Sequence, residues 1–177
     1  MPTYLAFLRA INLGATRQFP KDRIRQAVES IGFDEVETHI NTGNVRFSSR
    51  MRSIPRIESA LEAAFLQDRG FPVPTIVFGR DEFAALAADA ATLAAEHPGA
   101  RHYVELLRTA PIPEVAAQLE AASTQNVHVV VRGRAVHTFL AAAAPLGGAD
   151  TARFAKQLGV STNRNATVIR AIAQRWC

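Results

Sequence analysis

Apolar residues dominate Thr3 to Ile11 (TYLAFLRAI) as in a strand, and a polar stretch from Asn12 to Phe19 then leads to Pro20, which suits the first turn of a helix. Ile24, Ala27, Val28 and Ile31 follow at helical spacing until Gly32. EVETHI and NVRFSS read as two short strands, and the Asn41, Thr42, Gly43 and Asn44 stretch between them reads as a tight hairpin turn. Ser53 is placed to cap a second helix whose Ile54, Ile57, Leu61, Ala64 and Phe65 share one side, with Gly70 closing it. Val73 to Gly79 (VPTIVFG) is a fourth strand.

The pattern then starts again. Asp81 to His97 is an alanine-rich helix, RHYVELLRT a strand, Pro113 to Ala122 a helix, and NVHVVVRG with RAVHTFLA a hairpin turned by Gly133 and Arg134. Two helices follow, Ala149 to Leu158 and Asn165 to Trp176, broken at Gly159. The first eighty residues thus run β-α-β-β-α-β, the split βαβ order named ferredoxin-like. The expected fold class is α+β: a ferredoxin-like lobe over residues 1–79, and a second, irregular lobe over 80–177 that ends in helices in place of a clear fourth strand and packs against the first. Helix 81–97 is the expected connector.

Composition narrows the classes. Of 177 residues, 48% are hydrophobic and 20% charged, which is ordinary for a globular chain. No run of about 18 apolar residues exists, so a membrane-spanning reading fails, and the opening MPTYLAFLRAINLG has neither a basic leader nor a cleavage site. A cytoplasmic protein is expected. The single cysteine, Cys177, excludes an internal disulfide framework and a multi-thiolate metal site. Twenty basic residues against sixteen acidic ones leave a net charge of +4, and all the basic ones but Lys21 and Lys156 are arginine. Arginine suits phosphate and carboxylate, although the spread of these arginines along the chain also fits a compositional bias.

The topology brings polar segments together. In a β-α-β-β-α-β sheet the first and third strands are antiparallel neighbours, so the end of one and the start of the other share an edge. Arg9, Asn12 and Gly14 leave the first strand there, and Asn41, Thr42, Gly43, Asn44 and Arg46 belong to the hairpin there. Alternation puts Arg9 on the face of Leu5 and Phe7 and Arg46 on that of Asn44 and Ser48, and if the register sets both arginines on one face, guanidinium groups, amides and glycine-exposed backbone N–H groups there form an anion-accepting surface. The plainer reading is that asparagine and glycine serve the turns and that the arginines pair with carboxylates.

Other chemistry finds little support. Neither GxxxxGK[ST] nor GxGxxG after a strand occurs, and Pro145 to Asp150 (PLGGAD) is a loop before a helix that could cradle a phosphate or simply cap it. A two-residue turn at Gly133 and Arg134 sets His128 opposite Phe139 and His137 opposite Val130, diagonal on one face, but the adjoining strands supply no carboxylate to complete a metal site. No metal and no cofactor are expected. Phe7 and Phe47 stand where RNA-recognition modules stack bases, with core packing as the plainer role. Asp34, Glu35 and Glu37 are expected to solvate the turn before the second strand. Cys177, at the terminus, is poorly placed as a nucleophile.

YLAFLRAINLG and HINTGNVRFSS resemble the bacterial family catalogued as domain of unknown function 1697. Leu8, Arg9, Ile11, Asn12 and Gly14 match its first segment, and Ile40, Gly43, Asn44, Val45, Phe47, Ser48 and Ser49 its hairpin. Ala10 stands where the family usually has glycine. The later segments fit less well, with Gly147, Gly148 and Ala149 departing from the family's pattern and Ser161 to Val168 matching loosely without a tryptophan. The resemblance implies the two-lobed α+β fold and no established activity.

Three functions compete. The first is a binding module for a small anionic ligand or nucleic-acid backbone at the edge formed by Arg9, Asn12, Asn41, Asn44 and Arg46. The second is an enzyme on a phosphorylated or carboxylated metabolite with His39 as general acid or base. The third is a structural or adaptor protein. Oligomeric state is not legible in the sequence.

Overall fold

The structure, a computed structural model, describes residues 1–144 and 151–177. Met1–Phe83 together with Trp176–Cys177 form one compact unit, and Ala84–Arg175 form the other. The described residues are mixed α+β with two four-stranded antiparallel sheets; the α+β class is the one the sequence pattern predicts, the fourth strand of the second sheet is not.

In the first unit β1 (Thr3–Leu8), α1 (Lys21–Ser30), β2 (Asp34–His39), β3 (Asn44–Ser48), α2 (Ile54–Arg69) and β4 (Thr75–Gly79) follow in order. The sheet order is β2-β3-β1-β4, so β1 lies between β3 and β4. Tyr4 faces Phe47, Ala6 faces Val45, and Phe7 faces Asn44 across the β1–β3 ladder. One sheet face, carrying Tyr4, Ala6, Leu8, Val45, Phe47 and Val77, packs with Ile24 and Val28 of α1 and Ile57, Leu61 and Phe65 of α2. Pro20 and Ser53 hold the two N-cap positions in extended backbone, and neither makes a side-chain cap bond. Phe47 sits between Phe33 (centroids 4.9 Å apart, near-parallel at 6°) and Tyr4 (5.8 Å). Phe7 lies on the other face, stacked on Phe83 at 5.1 Å. Both rings are 0% exposed, so neither offers a base-stacking platform and packing is their role.

The second unit contains most of α3 (Arg80–Glu96), then β5 (Arg101–Leu107), α4 (Pro113–Ala121), β6 (Val127–Arg132), β7 (Ala135–Leu140), a 3-10 turn at Thr151–Phe154, α5 (Ala155–Leu158), β8 (Ser161–Asn165) and all but the last residue of α6 (Ala166–Trp176). The Gly133–Arg134 turn has two residues, because Arg132 pairs with Ala135, and Gly133 takes the positive φ (+53°) such a turn needs.

One correction concerns β8. The second lobe does have a fourth strand, paired antiparallel to β5 in the order β6-β7-β5-β8. Its sequence, STNRN, has no apolar residue and two asparagines, both poor strand formers, so periodicity of hydrophobic residues could not show it. The alternation is nevertheless present: Thr162 and Arg164 are buried, while Asn163 and Asn165 are exposed. Asn165, expected inside the last helix, is the residue before it, and its Oδ1 accepts the Thr167 N–H at 2.8 Å as a cap. The loop Pro145–Asp150, including Gly147, Gly148 and Ala149, lies outside the described residues. No helix among the described residues is long and apolar enough to cross a membrane.

Candidate functional site

The β1–β3 pairing brings the two polar segments together, and hydrogen bonds then stitch them. Leu8 donates its N–H to the carbonyl of Gly43 at 2.8 Å. The Asn12 Nδ2 donates to the Asn41 carbonyl at 2.8 Å and to the Phe19 carbonyl at 3.2 Å, while its Oδ1 accepts the Phe19 N–H at 2.8 Å. Asn12 is therefore the tie between the loop after β1 and the hairpin turn. Asn44 is fully buried, and its Nδ2 reaches the His39 carbonyl and the Thr42 Oγ1, both at 3.0 Å. The turn over 40–43 is thus fastened from inside, as a buried amide requires.

Backbone strain concentrates at the same edge. Of the five non-glycine residues with positive φ among the described residues, four lie here: Ala10 (+55°), Asn12 (+54°), Arg17 (+55°) and Ile40 (+49°). The left-handed region costs an L-residue about 1–2 kcal/mol, so these conformations persist because neighbouring bonds impose them. Arg17 is one source of that constraint. Its Nε donates to the Ala10 carbonyl and its Nη2 to the Pro72 carbonyl, each at 2.6 Å, and its guanidinium lies 4.8 Å over the Phe71 ring. The sequence reading missed Arg17, because side-chain bonds spanning 7 and 55 residues leave no spacing signal. Gly14 is exposed and accepts a bond from Gln18 through its carbonyl.

The two arginines expected to act together have different surroundings. Arg46 is held by the carboxylates of Glu35 (3.4 Å) and Glu37 (3.2 Å), and Glu35 also accepts from the Ser48 hydroxyl at 2.6 Å. Glu35 and Glu37 are thus ion-pair partners and not merely solvating residues. The irregular register between Asp34 and Glu37 lets both reach Arg46. Arg9 follows the last residue of β1. Its N–H is fixed to the Pro74 carbonyl at 2.9 Å, and its exposed guanidinium has no partner among the described residues. Arg17 bonds to carbonyls and makes no ion pair among the described residues, so its charge too is left uncompensated by a carboxylate.

His39, the candidate acid or base, is half-buried at the end of β2, with its ring edge-on to Trp176 at 6.0 Å. The Trp176 Nε1 donates to the second Glu37 oxygen at 3.2 Å. Cys177 is partly buried, which raises its thiol pKa above the usual value against the opposing pull of Arg80, and its Sγ faces the Arg80 carbonyl at 3.6 Å. A thiol so held is not an activated nucleophile.

A second polar cluster lies on the β5–β6–β7 sheet. The register places His128 opposite Phe139 and Val130 opposite His137, the diagonal arrangement expected, and adds His102 on the other side of Phe139. The His102 Nε2 and His137 Nδ1 lie 3.1 Å apart in a buried contact, while His102 Nδ1 and His137 Nε2 have no hydrogen-bond partner among the described residues. Burial pushes both pKa values down to about 4. The charges of His137 and His97 add to the shift of His102, and that of Arg132 to the shift of His137. Both imidazoles are neutral at pH 7. Whichever of the facing nitrogens carries the proton, one outer N–H is left buried without a partner among the described residues. No group of three or more His, Cys, Asp or Glu side chains among the described residues is arranged to hold a metal ion.

Comparison with known proteins agrees with the fold and adds no activity. A solved structure of a conserved bacterial protein from Streptococcus pneumoniae superposes with a TM-score of 0.76 at 20% identity, covering 99% of this chain and 99% of that one. No curated protein matches the chain. The family model described as "Protein of unknown function (DUF1697)" matches residues 1–137, which include the stitched β1–β3 edge, and the chain belongs to that family.

Proposed function

We propose that this is a cytoplasmic binding module that uses a ferredoxin-like framework to hold a small anionic, phosphate-type ligand, or the equivalent group of a nucleic-acid backbone, at the edge where the loop after β1 meets the hairpin turn. The observation that carries the reading is Arg9: its backbone is pinned, the residues around it are tied to the turn through Leu8–Gly43 and Asn12–Asn41, and its guanidinium is exposed without a partner among the described residues. A guanidinium carried on a pinned backbone, with its planar fork free, is available to an oxyanion. Arg17 adds a second positive charge in the same loop that no carboxylate among the described residues neutralises. Asn12, Gly43 and Asn44 act by positioning, and Arg46, already held by two carboxylates, contributes little.

Titration with single-stranded RNA, single-stranded DNA and a panel of phosphates at low salt tests the reading. Binding that weakens with salt and falls in Arg9→Gln supports it. Absence of binding to every probe at low salt overturns it.

A further inference from the structure

The second unit contains an open cleft of about 510 Å³ where the turn after α3 meets the loop before β6, and nothing in the site described above uses it. Its volume lies within the few-hundred-Å³ range of small-molecule sites. We propose that this cleft binds an amino-bearing nucleobase, as the free base or nucleoside, separately from the Arg9 edge.

Three features of the lining select that class. The first is an aromatic wall: the rings of His97 and His128 stand 4.6 Å apart, and His97 lies 4.2 Å from Phe139. Phe139 is 2% exposed and serves as backing, while His128 is exposed on β6 and presents its ring to an incoming planar group. Imidazole is among the side chains on which unstacked bases settle. The second is the rim. Gln125 and Asn126 line the cleft with exposed side-chain amides that have no partner among the described residues, and an amide offers both a donor and an acceptor to a base edge. The third is charge. Glu96 is a lining residue, also without a partner among the described residues, and neither arginine nor lysine lines the cleft. A carboxylate without a neighbouring guanidinium disfavours phosphate and favours a donor, as when an acidic side chain accepts from the cytosine amino group. The backbone is fixed beneath these groups: His97 N–H bonds to Ala94, Ala100 N–H to His97, and Ala141 N–H to Asn126.

The test uses the full chain. Cytidine, adenosine, uridine and inorganic phosphate are titrated while the histidine ring signals are followed by NMR. Cytidine or adenosine should shift His97 and His128 saturably and leave His39 unmoved. Uridine, lacking the amino group, should bind about tenfold more weakly, the cost of one charge-assisted hydrogen bond. His128→Ala, at an exposed position where folding is not at risk, should weaken cytidine or adenosine about tenfold by removing the stacking surface. Glu96→Gln should erase the preference over uridine, and Arg9→Gln should change none of these values. The proposal is overturned if no nucleoside produces a saturable shift, if uridine or phosphate binds as well as the amino-bearing nucleosides, or if His128→Ala binds like the unaltered chain.

Discussion

Leu8 gives its backbone N–H to Gly43 at 2.8 Å, and the two residues lie so close that a methyl on Gly43 would stand 2.7 Å from the Leu8 Cβ and 2.9 Å from the Ile11 Cδ1. Gly43 also has φ +76°. Two demands therefore coincide: a left-handed backbone and bare space. Gly43→Ala should destabilise the chain by about 3 kcal/mol, combining backbone strain with overpacking in a region that has little slack. A urea midpoint shift read by circular dichroism checks this, and a shift equivalent to less than about 1 kcal/mol would show that the two segments separate more easily than the bond implies.

Ala10 has φ +55°, a left-handed conformation that its Cβ makes costly. Ala10→Gly should relieve about 1–2 kcal/mol of steric cost against about 0.4–1 kcal/mol of added unfolded-chain entropy, a net gain of roughly 0.5–1 kcal/mol. A rise of a few degrees in Tm is the expected reading. A fall would mean that the Arg17 bond to the Ala10 carbonyl depends on the alanine side chain.

The buried histidine pair makes stability depend on pH. His102 and His137 have folded pKa values of about 4, below the unfolded value of about 6.5, so the unfolded chain binds more protons between those limits. Stability is then fully present above about pH 6.5 and is lost as pH falls towards 4. One to two protons correspond to a slope of about 1.4–2.7 kcal/mol per pH unit at most. Urea midpoints from pH 7.5 to 4.5 should fall accordingly, and His137→Gln should flatten the profile. A profile in the variant as steep as in the unaltered chain would remove the pair from the explanation.

Glu37 accepts from both Arg46 and Trp176. Replacing it with glutamine should cost no more than about 1 kcal/mol, because the ion pair is partly exposed and screened. Fluorescence of Trp176, the sole tryptophan, should nonetheless change, since its indole N–H loses a charged acceptor. An unaltered emission spectrum would contradict that contact.

The legible features of the sequence were those carried by periodicity. The apolar run over Thr3–Leu8 and the short strand Asn44–Ser48, with helical spacing between them, were enough to place the opening strand beside the hairpin, and the two-residue turn at Gly133 was enough to align His128 with Phe139. What remained hidden depended on contacts that no spacing records. The strand Ser161–Asn165 has only polar residues and forms because β5 offers it a partner. Glu35 and Glu37 reach Arg46 through an irregularity in strand register. His102 joins the other histidines because β5 lies beside β7, a matter of sheet order, and His97 because of where α3 ends. Of the candidate site, the meeting of the two polar segments was legible but Arg17 and the surroundings of each arginine were not, because Arg9 and Arg46 look alike in sequence and differ only in what lies around them.

The salt dependence of phosphate-type binding in two variants tests the central claim most directly. With single-stranded RNA as probe, the slope of log K against log salt should become shallower by about 0.7 in Arg9→Gln, the loss of one counterion-releasing contact, with a fall in affinity, while Arg46→Gln keeps both slope and affinity. Equal losses in the two variants, or an Arg9→Gln chain that binds as the unaltered one does, would contradict the assignment of the edge to Arg9.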